Sequence, residues 1–193
     1  MIDKKRQLNN LKNKILRDKS LPLQGSNLVF GEGSSEADIF FIGEAPGLKE
    51  EQLGQPFVGR SGQLLTRTIE SLGFNRGDVY ISNIVKRRPP DNRDPLPLEI
   101  EAYKPYLQKQ IEIIKPKIIV TLGRFSFNYF MPDRKISLDQ GKTFKISNFL
   151  LIPMFHPAAA LRSTKTLKQF QKSFQKLPSI LKKIKELTGP QIA

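Results

Sequence analysis

Four short apolar runs constrain the fold of this chain more than any other feature: 37–42 (ADIFFI), 78–85 (DVYISNIV), 117–122 (KIIVTL) and 148–155 (NFLLIPMF). Each has the length of a strand and is rich in β-branched or aromatic residues. Helical patterns lie between several of them. Residues 63–73 put Leu64, Leu65, Ile69 and Leu72 on one face before Gly73, and 97–114 carries apolar positions from Leu98 to Ile114. Strand alternating with helix predicts an α/β fold of three layers, α/β/α, with a mostly parallel central sheet in a single domain over 1–193. The segment 143–155 predicts a hairpin turning at Ser147–Asn148, which makes one edge strand antiparallel. An N-terminal helix is expected within 1–20. A basic amphipathic helix is expected over 164–187, facing the protein with Phe170, Phe174, Leu177, Leu181 and Ile184, and kinked or restarted at Pro178.

Charge and cysteine usage narrow the function classes. Among 193 residues, 32 Lys and Arg stand against 18 Asp and Glu, a formal charge of +14. Such a field attracts phosphate-rich polymers, although a lysine bias alone produces the same number. No segment approaches the roughly 20 apolar residues of a membrane span, and the N-terminus lacks a signal-peptide core, so the expected setting is cytoplasmic without membrane contact. Cysteine is absent and His156 is the only histidine. Disulfides, thiolate metal sites, cysteine nucleophiles and multi-histidine centres are thereby excluded, and no metal is expected.

In open α/β sheets, ligands bind beyond the carboxyl ends of the strands. Gly43 and Glu44 follow the first apolar run, Asn83 lies near the end of the second, and His156 follows the fourth. A carboxylate, an amide and an imidazole are therefore expected on one rim. Taken singly, each reads more readily as a turn cap or a structural hydrogen-bonding group than as a catalyst. The stretch 43–62, GEAPGLKEEQLGQPFVGRSG, opens this region with five glycines. Its 54–61 segment, GQPFVGRS, approaches the phosphate-loop pattern, but Arg60 replaces the lysine, Pro56 removes an N–H and the strand ends too early. Ser61, in GRSG, does not make a nucleophile elbow. Phe57 is at this point either a core aromatic or a stacking ring.

Together, GEAPGLKEEQLGQPFVGRSGQLL, YISNIVKRRPPDNRDP and MFHPAAALR resemble, in order and spacing, the uracil-DNA glycosylase superfamily, specifically its family 4 enzymes, over about 28–175. The resemblance implies a monofunctional enzyme, acting as a monomer on uracil-containing DNA. Such an enzyme hydrolyses the N-glycosidic bond of a flipped deoxyuridine and leaves an abasic site. It implies Glu44 and His156 as catalytic residues, and Gly43, Ala45, Glu50, Phe57 and Asn83 around the base. Phe57 would stack, Asn83 would read the uracil edge, and Glu50 would crowd C5 against thymine. For DNA it implies Leu161 as a wedge and Arg162 as a phosphate contact, with Arg60, Arg87, Arg88 and Arg93 as further backbone contacts. A silent uracil- or DNA-binding relative, and more distantly a nucleotide-binding protein, are the alternatives.

The chain departs from that family at one feature, an iron–sulfur cluster on four cysteines. Those positions fall on Arg87 and Tyr103 and near Asp18 and Leu21. No cofactor is expected, because such clusters need thiolates. Tyr103 and the N-terminal helix are expected to anchor the 86–97 loop in the cluster's place, with Arg87 adding charge near DNA.

Overall fold

The four apolar runs become the parallel centre of one six-stranded sheet, with strand β2 at Ile39–Gly43, β3 at Tyr80–Asn83, β4 at Ile118–Leu122 and β6 at Phe149–Met154. A computed structural model describes residues 3–188; Met1 and Ile2 of the expected N-terminal helix, and 189–193, lie outside the described residues. Two short edge strands, β1 at Glu32–Gly33 and β5 at Phe144–Ile146, complete the order β1-β3-β2-β4-β6-β5. Both pair antiparallel, β1 with β3 and β5 with β6. The β5–β6 hairpin turns at Ser147–Asn148 as expected, with Ile146 opposite Phe149 and Ser147 at φ 48°. Pro153 sits in β6 past the end of its pairing with β5, where no neighbour on that side needs its missing N–H.

The helices are α1 Lys4–Arg17, α2 Leu48–Leu53, α3 Arg60–Glu70, α4 Pro97–Ile114, α5 Arg124–Phe130, α6 Ile136–Asp139, α7 Pro157–Arg162, α8 Thr164–Phe174 and α9 Leu177–Thr188. Alternation along the strands splits the core in two. Phe40, Ile42, Tyr80 and Ile119 face Leu8, Leu11 and Ile15 of α1, Tyr103 and Leu107 of α4 and Phe127 of α5. Ile39, Phe41, Ile81 and Val120 face Leu65 and Ile69 of α3, Phe170 and Phe174 of α8 and Leu177 and Leu181 of α9. Because both faces are covered, β2, β3 and β4 are buried along their whole length. The result is the three-layer α/β/α arrangement with a mostly parallel sheet.

The C-terminal segment is two helices. Pro178 stands in the first turn of α9, where its absent N–H leaves no gap, so it restarts the helix. The short helices α2, α5, α6 and α7 and the two-residue β1 were not legible as periodic patterns, since each is shorter than the window over which periodicity is defined. From β2 the chain steps outward to β3 and then returns across β2 to reach β4. That reversal opens a crevice at the carboxyl end of β2.

Candidate active site

Strand register brings the expected polar groups together. Gly43, the last residue of β2, pairs with Asn83, the last of β3. His156 lies two residues beyond β6 and caps α7, its Nδ1 accepting the Ala158 N–H at 3.2 Å. A cavity of about 470 Å³ opens among Glu44, Glu50, Phe57, Asn83 and His156, with Ala45 and Arg162 also on its wall. A larger groove, about 600 Å³, runs between α1 and α4, but none of the strand-end polar groups lines it.

Phe57 is held in a conformation that few residues adopt, with φ at 52°. Two side chains fix the loop around it. Glu50 Oε1 accepts the N–H groups of Val58 and Gly59 at 2.9 and 2.8 Å, and Arg76 Nη2 donates to the Pro56 carbonyl at 2.6 Å. Glycine is required on either side of this loop by close approach. A Cβ at Gly62 would lie 1.8 Å from the Phe57 carbonyl oxygen, and one at Gly43 would lie 2.4 Å from Asn83 Oδ1 and 2.5 Å from Phe57 Cζ. Phe57, buried at 6 % exposure, is thus both a core member and a wall of the cavity.

Asn83 is 1 % exposed, and its Oδ1 has no hydrogen-bond partner among the described residues. A buried orphan acceptor is costly unless something fills its vacancy. His156 is reached from the cavity but otherwise enclosed; burial pushes its pKa down to about 4, the Arg162 charge assisting and Glu50 opposing. The imidazole is therefore neutral near pH 7. Because Nδ1 accepts a hydrogen bond, the proton resides on Nε2. Burial pushes Glu44 up to about 7, Asp94 adding to the rise and Arg124 countering it. Asp94 and Arg124, ion-paired at 2.7 Å at the end of β4, are the charged neighbours that sequence reasoning missed. Their signal was present, since Arg124 follows the third apolar run as Glu44 follows the first.

The arginines separate into two groups. Arg60 and Arg162 are exposed and make no ion pair among the described residues, and Leu161 beside Arg162 is 42 % exposed. Three of the arginines expected to contact DNA are engaged within the protein. Arg87 is buried, donating to the Ser26 carbonyl beneath the surface, so it cannot reach a phosphate. Arg88 is bonded to Glu51, which neutralises it. Arg93, exposed at the edge of the cavity, is forked onto Glu99 at 2.9 and 2.6 Å through its two terminal guanidinium nitrogens.

Residues at the positions of the family's cluster cysteines do not fit a cluster. None offers a thiolate, and the space holds a polar and aromatic plug. Tyr103 is fully buried, its hydroxyl donating to the Pro22 carbonyl at 2.9 Å, while Tyr106 bonds Asp18. Leu21 packs into the same core, and the Ser26 hydroxyl donates to the Arg88 carbonyl at 2.8 Å. The segment after α1 is thereby tied to α4 and to the loop after β3. No group of three or more His, Asp or Glu suited to a metal occurs among the described residues.

Fold and site together define an α/β ligand-binding protein whose slot, at a switch point of the sheet, suits a flat ligand with a hydrogen-bonding edge. Residues 30–178 match the uracil DNA glycosylase superfamily, and the chain belongs to it. It is similar to the type-4 uracil-DNA glycosylase of Saccharolobus solfataricus, 48% identical over 165 residues that cover 80% of this chain and 76% of that one. With the type-4 enzyme of Archaeoglobus fulgidus it shares 42% identity over 161 residues, 79% of this chain and 81% of the other. With that of Thermotoga maritima it shares 44% over 146 residues, 74% and 76% of the two chains.

Proposed function

We infer that this protein is a uracil-DNA glycosylase, hydrolysing the N-glycosidic bond of deoxyuridine flipped out of DNA to give free uracil and an abasic site. One observation carries the reading: Asn83 Oδ1, buried and without a partner among the described residues, stands in the cavity wall beside the Phe57 ring. Uracil supplies the missing group. Its N3–H donates to Oδ1 while its O4 accepts from the Asn83 amide, whereas cytosine offers a bare N3 and an amino group. A site built around such a pair rejects the wrong base by about 10⁴-fold or more.

The other residues take roles that suit their surroundings. Phe57 stacks on the base, and Gly43 and Ala45 let the backbone approach it closely. Glu50 crowds C5 and so excludes thymine; its bonds to Val58 and Gly59 keep it from yielding. As the C1′–N1 bond breaks, both electrons leave with the base. His156 Nε2–H donates to O2 where that charge collects, a neutral donor worth about 3–4 kcal/mol when preplaced. Glu44, on the sugar side, orients the water whose oxygen adds to C1′ and supports the oxocarbenium-like transition state. Leu161 fills the space left in the duplex, and Arg162 and Arg60 hold phosphates.

The chain works as a monomeric, single-domain enzyme in the cytoplasm, on DNA; no helix among the described residues is long and apolar enough to cross a membrane. The test is incubation with a uracil-containing oligonucleotide followed by alkaline cleavage at abasic sites. Release of uracil by the wild type, lost in Asn83→Ala and His156→Ala, is expected. Tight binding with no release identifies a silent binder instead.

A further inference from the structure

Directly behind Asn83 lies a group that the site as described leaves unused. Lys86 is fully buried, and its Nζ donates to Ser82 Oγ at 2.7 Å, to the Asn83 carbonyl at 2.7 Å and to Gln110 Oε1 at 2.5 Å. None of the three is charged. The Phe30 carbonyl explains how both side chains come to present oxygen to the lysine. It accepts the Ser82 hydroxyl at 2.8 Å and Gln110 Nε2 at 3.0 Å, which engages their hydrogens and turns their lone pairs toward Nζ. Three oxygens facing one nitrogen suit an ammonium, which has three hydrogens, better than an amine with two and a lone pair. Burial pulls the Lys86 pKa well down, while hydrogen bonds accepted from the charged form favour that form.

An unpaired buried cation is among the most costly groups to place in a core. A methionine would fill the same space without that cost. The position of the charge supplies a reason for it. Asn83 is the cavity-facing end of β3, and Lys86 closes the following turn back onto its carbonyl, so the ammonium sits one residue behind the wall that meets the base.

We propose that Lys86 is a positioning residue for base excision: it fixes the turn that aims the Asn83 amide and lends a positive potential to the pocket where negative charge gathers on the departing base. The proposal rests on the glycosylase reading. In that reaction the C1′–N1 bond breaks with both electrons passing to uracil, water adds its oxygen to C1′, and the base leaves as an anion before it regains a proton. A fixed positive charge lowers the transition state in proportion to the negative charge gathered on the base, which is greater for the poorer leaving group.

Leaving-group dependence separates this role from a purely structural one. Single-turnover release would be measured on DNA carrying uracil or 5-fluorouracil, whose anion is the more stable and whose fluorine is nearly as small as hydrogen. For Lys86→Met the expected loss is about 10²-fold on uracil and about tenfold or less on 5-fluorouracil, with affinity for abasic DNA unchanged. The double variant Lys86→Met with Gln110→Leu, which removes one of the three acceptors that the lysine leaves behind, is expected to show the same difference. Equal losses on the two bases, or no loss, overturn the role of Lys86. A wild type that releases neither base overturns the glycosylase reading itself.

Discussion

The ring of Phe57 lies 5.7 Å from the imidazole of His156, the two planes inclined at 35°. An aromatic face and a neutral imidazole, carried by loops after different strands, thus share one cavity. Phe57→Leu keeps an apolar side chain but removes the flat π face. The expected result is a fall in kcat/KM for uracil excision of about 10- to 100-fold, the scale of one base–aromatic stack. Thermal melting should move by only a few degrees.

Gly43→Ala tests the closeness of the wall. Its Cβ would stand 2.4 Å from Asn83 Oδ1 and 2.5 Å from Phe57 Cζ, so both groups must shift. Misplacement of this order lowers excision by about 10²-fold or more. A chain that remains folded by circular dichroism, with the rate unchanged, contradicts the geometry.

Glu44 sets the acid side of the pH profile. With its pKa pushed up to about 7, the carboxylate is protonated as pH falls through that value, and single-turnover excision should fall with it. Asp94→Asn removes a charge that raises Glu44, so the limb should move to lower pH. Stability runs the other way. Between the ordinary carboxylate range and about 7 the folded protein holds a proton that the unfolded chain releases, so the contribution is present at low pH and lost as pH rises through about 7. Glu44→Gln should therefore melt above the wild type at pH 8 and close to it at pH 5. His156, neutral above about 4, adds no activity limb between pH 5 and 8.

Chelation should leave the melting curve unchanged, because the plug at the cluster position is held by side-chain hydrogen bonds. Tyr103→Phe deletes the bond to the Pro22 carbonyl and leaves that acceptor inside, at an expected loss of about 1–2 kcal/mol by denaturant titration. Removing iron or zinc from the growth medium should not reduce the yield of folded protein.

Salt dependence distinguishes the arginines. Arg162→Ala should reduce the slope of log K against log salt for DNA binding by about one, as expected for a lost phosphate contact. Arg87→Met, with its guanidinium buried on the Ser26 carbonyl, should leave the slope alone and lower stability instead.

The sequence by itself determined the layers and the rim. Strand-length apolar runs between helical patterns have few packings open to them, and in a parallel sheet all the carboxyl ends point the same way, so Glu44, Asn83 and His156 could be placed on one side before any coordinate was known. The hairpin turn at Ser147–Asn148 was legible because turn chemistry is local. Tertiary structure decided which cations remain free. Arg60, Arg87, Arg88, Arg93 and Arg162 are alike in a sequence, yet Ser26, Glu51 and Glu99 engage three of them from 61, 37 and 6 residues away. It also decided that Lys86 points inward, because the acceptors that make its burial tolerable come from β3 and α4, with the Phe30 carbonyl orienting them. Burial and pairing are properties of neighbours in space, and the composition of the chain does not carry them.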